Sequence, residues 1–158
     1  MTSPADPQIG SPRQALIVAR GAWAVMTLGA IVAAIVFYAA TPQPSQSPVL
    51  GRWVSTWVPA AAVILAPFLG HVIRQQMFKA GWSGQAVSPK AYVGGTIGYL
   101  APVEAALLLT CAMMAIGGHR PGHLLVIAVG VAFMALNFPT GSSMRPPSDG
   151  DGIGNYDA

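Results

Sequence analysis

The sequence has few ionisable residues. Lysine and arginine number 8 and aspartate and glutamate 5 among 158 residues, so 8% of the chain is charged, whereas soluble domains carry about a quarter. Hydrophobic residues make up 53%. This balance excludes an ordinary soluble domain and predicts a membrane protein. The net charge of +3 comes without a basic cluster interleaved with aromatics, so nucleic acid is not an expected partner.

Cysteine and the sequence motifs of enzymes are also scarce. Cys111 is the only cysteine, which excludes an intrachain disulfide, a CxxC pair and a zinc site built from several cysteines. The chain contains no GxSxG, HExxH or Walker motif. His119 and His123 are four residues apart, but Pro121 and Gly122 break the helix that would present both to one metal ion. We therefore expect no enzymatic activity, no metal site and no cofactor.

Four long apolar stretches are present instead. The hydrocarbon core of a bilayer, roughly 30 Å thick, requires about 20 apolar residues from each spanning helix. The expected fold is therefore all-α: a polytopic membrane protein with four transmembrane helices in two antiparallel hairpins. The expected spans cover about residues 15–40, 53–73, 92–116 and 123–138. The fourth is short and would cross by local thinning of the bilayer or by borrowing flanking residues.

The segments outside this transmembrane domain, residues 15–138, are polar. Residues 1–14 predict a disordered cytoplasmic lead, and residues 139–158, rich in glycine, serine, proline and aspartate, predict a disordered cytoplasmic tail. The first span could be a secretory signal, but it exceeds the 7 to 15 apolar residues of such signals, so we expect an uncleaved anchor. The connector 74–91 is either a plain polar loop or a headgroup-level segment with a short interfacial helix up to Lys79.

The distribution of cations predicts the orientation. With four spans, both termini and the connector 74–91 share one side, which carries six cations against two on the other. Because cations concentrate on the cytoplasmic side, we expect a multi-pass protein of the bacterial inner membrane with both termini in the cytoplasm. The six are Arg13, Arg20, Arg74, Lys79, Lys90 and Arg145, and the two are Arg52 and Arg120.

The only glutamate, Glu104, lies at the middle of the third span. An ionisable side chain at the bilayer centre costs about 2.5 to 3.5 kcal/mol on insertion scales, so a functional role is the default hypothesis. Thr27 lies at about the same depth on the first span, and its hydroxyl is the best available partner for the carboxyl group. His71 lies too close to the cytoplasmic end to match. With no cation at its depth, Glu104 should be neutral at rest.

Small residues also recur on the third span. Gly94, Gly98, Ala101 and Ala105 fall within one narrow arc at 100° per residue. Such an arc is typical of surfaces where helices pack closely in membranes. We call these four residues the helix-packing seam, and Glu104 flanks it. Small residues of the first and fourth spans, which include Gly29, Ala33, Ala128 and Ala132, offer a matching surface.

The eight residues from Pro102 to Leu109 (PVEAALLL) resemble the carboxylate-bearing helix of the rotary ATPase proteolipids. The resemblance implies that Glu104 is reversibly protonated as its helix meets a neighbouring subunit. The repeated glycines of the proteolipid partner helix are absent, and the acid lies on the third of four spans instead of the last.

Two functions follow from these observations. The first is an accessory or self-associating component of a membrane complex, with the bilayer and other membrane subunits or further copies of the chain as partners, and with Glu104 as a buried polar clamp. The alternative is a proton-linked transporter or channel component in which Glu104 titrates. Transporters usually show an internal repeat or a second polar group on the pathway, and this chain offers only uncharged candidates.

Overall fold

Helices make up most of the chain in the part that the structure describes. The structure is a computed structural model, and it describes residues 11–41 and 51–144, without the side chains of Arg52 and Trp53. These residues form four α-helices and a short 3-10 helix and contain no β-strand, which confirms the predicted all-α class. In chain order they are α1 (Pro12–Ala40), α2 (Arg52–Ala80), α3 (Pro89–Gly117), α4 (Pro121–Leu136) and the 3-10 helix Ser142–Met144.

Helix length divides the four helices into two groups. Helices α1, α2 and α3 have 29 residues each and are long and apolar enough to cross a membrane. Helix α4 has 16 residues, which amounts to about 24 Å at 1.5 Å per residue. The structure therefore provides three helices of spanning length and a shorter apolar fourth.

Serine-proline pairs start α1 and α3 earlier than the apolar stretches indicate. The Ser11 hydroxyl accepts a hydrogen bond from the Gln14 backbone N–H at 3.2 Å, and the Ser88 hydroxyl accepts one from Ala91 at 3.4 Å. A proline follows each serine at the first helical position, where its missing N–H costs nothing. The predicted disorder is therefore wrong for residues 11–14, while residues 1–10 lie outside the described part.

Helix α2 extends beyond its apolar stretch. It continues without interruption through Arg74 and Lys79 to Ala80, so the separate interfacial helix considered for the connector is wrong. The connector is confined to Gly81–Ser88, where the Ser88 N–H donates to the Gly81 carbonyl at 2.8 Å. The basic residues thus lie on a rigid element that is continuous with the span.

Helix α3 forms the centre of the structure and contacts each of the other three helices. Its buried side chains, among them Tyr92, Leu100, Leu107 and Met114, are the largest fully buried ones in the core. Inside lipid, apolar burial alone gives little driving force between helices, so close dispersion contacts between these side chains stabilise the packing. The main core cluster comprises Ala30, Val63, Ala66, Tyr99, Leu100, Val103, Ala106, Leu107, Val126 and Met134.

The contacts along α3 reveal the direction of its neighbours. Ala15 and Ala19 of α1 cluster with Tyr92 near the start of α3, and Ala34 clusters with Cys111 near its end. Helices α1 and α3 therefore run in the same direction.

Helix α2 runs in the opposite direction. Its Gly70 lies against Tyr99 of α3, and its Met77, seven residues later, lies against Gly94. The N-terminal end of α1, the C-terminal end of α2 and the N-terminal end of α3 therefore lie together at one end of the molecule.

The segment after α4 packs against this same end. The Gly141 N–H donates to the Tyr92 hydroxyl at 2.9 Å, and the Val87 N–H donates to the Ser143 carbonyl at 2.9 Å. Met144 is buried in a cluster with Ala15 and Tyr92. The predicted disordered tail is therefore wrong for residues 139–144, while residues 145–158 lie outside the described part.

Candidate functional site

Glu104 lies half-buried on the outward side of α3. It shares an arc with Ile97, Ala101 and Leu108, all of which are exposed, and Ile97 and Leu108 are 40% and 49% exposed. Among the described residues, its carboxyl group makes no hydrogen bond and no ion pair. The protein therefore presents this carboxyl group at its own surface, at the middle of a 29-residue apolar helix.

Thr27 is level with Glu104 but faces another way. Ala15 clusters with Tyr92 near the start of α3, and Ala34 clusters with Cys111 near its end, so Thr27, between them on α1, lies near the depth of Glu104. The predicted match in depth is consistent with this register.

The predicted hydrogen bond between these two residues is not formed. Thr27 is 6% exposed, and its Oγ1 has no hydrogen-bond partner in the described part of the chain. Thr27 falls on the buried face of α1 with Ala30 and Ala34, whereas Glu104 falls on the exposed arc of α3. Depth follows from counting residues along the helices, but the facing of side chains depends on how each helix is rotated.

The carbonyl group of Gly98 also lacks a bond to Glu104. Pro102 has no N–H to donate to that carbonyl, so the carbonyl could accept a hydrogen bond from a protonated carboxyl group. The structure shows no such contact among the residues it describes. Glu104 thus has no partner from its own chain there.

The helix-packing seam divides into two parts. A methyl group at Gly94 would lie 3.8 Å from the Met77 sulfur, and one at Gly98 would lie 2.6 Å from Cγ2 of Ile73, so both glycines face α2. Ala101 and Ala105 are exposed.

The surfaces expected to match this seam on the first and fourth helices do not lie against it. Gly29 has open space around it, and Ala128 and Ala132 are exposed. The neighbour of the two seam glycines is α2, because the direct chain connection brings α2 alongside the start of α3. The two alanines of the seam stay uncovered beside Glu104.

A close approach between α2 and α3 involves a glycine that is not part of the helix-packing seam. A methyl group at Gly70 of α2 would lie 2.6 Å from the carbonyl oxygen and 3.0 Å from Cα of Tyr99. At this point the backbones of α2 and α3 touch. The sequence signal was the spacing of small residues on α2, since Ala62, Ala66 and Gly70 recur at intervals of four residues, as is typical of close helix packing in membranes.

A buried histidine at the opposite end was also missed. His123 is 0% exposed, and its Nδ1 accepts a hydrogen bond from the Arg120 backbone N–H at 3.3 Å. The proton is therefore on Nε2, which donates to the carbonyl oxygen of Ser55 at 2.8 Å. That carbonyl would be bonded by residue 59 in a regular helix, but Pro59 has no N–H. The sequence signal was the proline, whose freed carbonyl requires a donor in a membrane helix.

The second histidine of this end makes separate contacts. His119 Nδ1 lies 2.6 Å from the carbonyl oxygen of Thr41, and its ring lies 4.3 Å from the ring of Tyr38. The described residues contain no group of three or more metal-ligating side chains. His119 and His123 each bridge to a different helix, which is a structural role.

Polar contacts join α1 and α2 to the C-terminal end of α4 and to the segment after it. The Trp23 indole N–H donates to the Met134 carbonyl at 2.8 Å, and Arg20 Nε donates to the Pro139 carbonyl at 3.2 Å. Arg74 donates to the Asn137 side-chain oxygen at 3.4 Å. The two arginines thus lie at the same end as the C-terminus of α4, where the sequence analysis placed them.

Comparison with known proteins adds no relative. The chain matches no protein-family model, no curated protein and no solved structure.

Proposed function

We propose that the chain is an integral membrane protein in which all four helices span the bilayer as two antiparallel hairpins. Three helices have the required length. The residues of helix α4 are as apolar as those of the long helices. A 16-residue helix can cross where the bilayer thins or where flanking residues contribute. Its first turn contacts the start of α2 through His123 and Ser55, and its C-terminal end contacts the first half of α1 through Met134 and Trp23.

The proposed orientation places both termini in the cytoplasm. Arg20 and Arg74 make contacts at the C-terminal end of α4, and Lys79 and Lys90 flank the connector at the same end of α2 and α3. Of the described cationic side chains, only Arg120 belongs to the other end. The positive-inside rule assigns the end with more cations to the cytoplasm.

We further propose that the protein functions by self-association through the exposed arc of α3. The supporting observation is the carboxyl group of Glu104, which has no partner on its own chain among the described residues and faces outward at mid-helix. A polar group that faces hydrocarbon is costly. A second helix that covers Glu104 and provides a hydrogen bond would remove this cost.

The spacing of the exposed residues suits a helix partner. Ile97, Ala101, Glu104 and Leu108 follow each other at intervals of four, three and four residues, which is the spacing of a helix-helix contact. Ala101 lets a second backbone approach closely. We call these four residues the Glu104 face.

The chemistry of Glu104 favours a second copy as the partner. Copies of one membrane protein share their orientation, so a rotation axis between two copies is perpendicular to the bilayer and brings residues of equal depth together. Glu104 would therefore meet Glu104. A protonated carboxyl group is both a donor and an acceptor, so two of them can form a reciprocal pair of hydrogen bonds.

Cysteine cross-linking in native membranes tests this proposal. In a Cys111→Ala background, Ala101→Cys and Leu108→Cys should each give a covalent dimer under mild oxidation, because cross-linking requires the Cα atoms to come within about 7 Å. Val25→Cys is the matched control, since Val25 is 73% exposed on α1 and lies on the side of that helix opposite its buried residues Ala30 and Ala34. The proposal would be contradicted if the variants at positions 101 and 108 gave no covalent dimer. It would also be contradicted if all three variants cross-linked equally.

The same experiment distinguishes self-association from an accessory role in a complex of different subunits. A cross-link from position 101 or 108 to another protein, without a covalent dimer, would assign the Glu104 face to a different subunit. The proton-linked alternative uses the same exposed carboxyl group, and it is separated by the Glu104 variants described in the Discussion.

A further inference from the structure

A groove with a basic lining runs along the last three turns of α2. Its volume is about 710 Å³, and it is closed on one side by the connector and by the 3-10 helix. The α2 residues that line it recur at helical spacing and so share one face. The lining consists of His71, Arg74, Gln75, Phe78, Lys79, Trp82, Val87 and Ser143, and we call it the basic groove.

The charge of the basic groove is not balanced by a carboxylate. Arg74, Lys79 and His71 contribute donors, and the only acidic residue among the described ones is Glu104, at mid-helix on α3. Arg74 is held in place by its hydrogen bond to Asn137 and by the Phe78 ring, whose centroid is 5.0 Å from the guanidinium carbon. A guanidinium group has five N–H donors, so most of those on Arg74 are available to an anion.

The basic groove continues into an apolar strip on the same face of α2. Ile64 and Phe68 precede His71 by seven and three residues, and they are 55% and 69% exposed. At 1.5 Å per residue the strip extends roughly 10 Å toward the bilayer centre. Trp82, at the other end of the groove, is 56% exposed, as is common for tryptophan at the level of the headgroups.

From this arrangement, we infer that the basic groove binds the phosphate group of an anionic phospholipid, with an acyl chain along Ile64 and Phe68. A free phosphate shares the charge of a headgroup but would make no use of the apolar strip, so the continuity of the two surfaces favours the lipid. Basic pockets at the cytoplasmic ends of membrane helices are suited to such headgroups. The inference rests on the proposed insertion of α2 in a bilayer and does not depend on association through the Glu104 face.

Lipid titration of the purified full-length protein in phosphatidylcholine nanodiscs tests the inference. Brominated phosphatidylglycerol should quench tryptophan fluorescence at a lower mole fraction than brominated phosphatidylcholine, and Trp82→Phe should remove most of that difference. Lys79→Gln should weaken the preference about five-fold, the effect expected for one cation near an anionic lipid. Lys90→Gln is the matched control because Lys90 is an exposed cation at the same end outside the basic groove, and it should leave the preference unchanged.

Several outcomes would overturn the inference. Equal quenching by the two brominated lipids, or a preference lost equally in Lys79→Gln and Lys90→Gln, would mean that no site is present. If inorganic phosphate occupied the groove as effectively as phosphatidylglycerol and competed with it, the groove would be assigned to a free anion. Arg74→Gln should reduce the preference further, and if its lost contact to Asn137 prevents folding, Lys79→Gln alone decides. Failure of insertion is distinguishable, because the protein would then not be recovered in nanodiscs at all.

Discussion

His123 Nε2 lies 2.8 Å from the carbonyl oxygen of Ser55, the carbonyl that Pro59 leaves without its helical donor. A proline inside α2 is thus matched by a histidine in the first turn of α4. The freed carbonyl of a proline-containing helix needs a donor where water is excluded. The contact also joins α4, the shortest of the four α-helices, to α2, so it helps to hold α4 in position.

A double-mutant cycle tests this relationship. His123→Phe keeps an aromatic ring but removes the donor, and it should lower the free energy of unfolding by about 1 to 3 kcal/mol. In a Pro59→Ala background the residue-59 N–H can bond Ser55 itself, so the same change should cost less. Thermal or denaturant unfolding in detergent measures both, and a coupling of at least about 0.5 kcal/mol is expected. Additive effects would mean that the two residues act independently.

Gly70 allows α2 to lie directly against the backbone of α3, so Gly70→Ala should destabilise the protein. The added methyl group would meet the backbone of Tyr99 at 2.6 Å, and backbone cannot rotate away as a side chain can. Overpacking of this kind costs about 1 to 3 kcal/mol. Gly29→Ala is the control, because nothing lies within 4 Å of Gly29 and alanine favours helix. Equal melting temperatures for the two variants would contradict the close contact.

Much of the fold was accessible from the sequence because membrane helices need long apolar stretches. Length and composition alone predicted the three long helices and the shorter α4. The predicted starts of α1 and α3 were three residues late, since apolar content marks where a span enters lipid, whereas Ser11 and Ser88 mark where a helix is capped. The extension of α2 to Ala80 was missed for the same reason, because a helix can continue after its apolar stretch ends.

The candidate site was less accessible. The depth of Thr27 relative to Glu104 followed from a constant rise per residue, which every helix shares. The facing of the two side chains depends on the rotation of α1 against α3, which the packing of alanines such as Ala30 and Ala34 determines. Gly70 was overlooked although it continues the four-residue spacing of Ala62 and Ala66, whereas His123 was missed because it acts through one contact with a distant segment and belongs to no repeating pattern.

Thr27→Val should leave stability unchanged or raise it. The buried hydroxyl of Thr27 has no hydrogen-bond partner in the described part of the chain, and an unsatisfied buried polar group costs about 1 to 3 kcal/mol. Valine replaces it with a methyl group of similar shape. Thr110→Val is the matched control, because the Thr110 hydroxyl donates to the Ala106 carbonyl at 2.9 Å and loses that bond. A clear loss of stability in Thr27→Val would indicate that the hydroxyl has a partner, Glu104 first among them.

The proposed orientation predicts which loops react with a membrane-impermeant thiol reagent. In a Cys111→Ala background and intact cells, Ser47→Cys should react from outside, because residue 47 belongs to the connector between α1 and α2. Ser83→Cys, between α2 and α3 on an exposed residue, should react only after the membrane is opened. The reverse pattern would invert the topology and would move the basic groove to the outer leaflet.

Variants of Glu104 separate the two proposed functions. Glu104→Gln keeps the shape of the side chain and its ability to donate and accept hydrogen bonds, so folding and self-association should survive. Glu104→Leu removes those bonds and should weaken the dimer by about 1 to 2 kcal/mol, the value found for polar contacts between model membrane helices. Cross-linking yield at Leu108→Cys in each background measures both effects.

The proton-linked alternative predicts a different result for Glu104→Gln, because an amide cannot exchange a proton near neutral pH. Proteoliposomes with an internal pH dye provide the measurement. If Glu104 is a clamp between two copies, neither the wild-type protein nor Glu104→Gln should move protons faster than empty vesicles. Proton flux in the wild type that disappears in a folded, still dimeric Glu104→Gln variant would replace the proposed role with that of a proton carrier. The contrast is decisive because both hypotheses use the same exposed carboxyl group and differ only in whether its proton leaves.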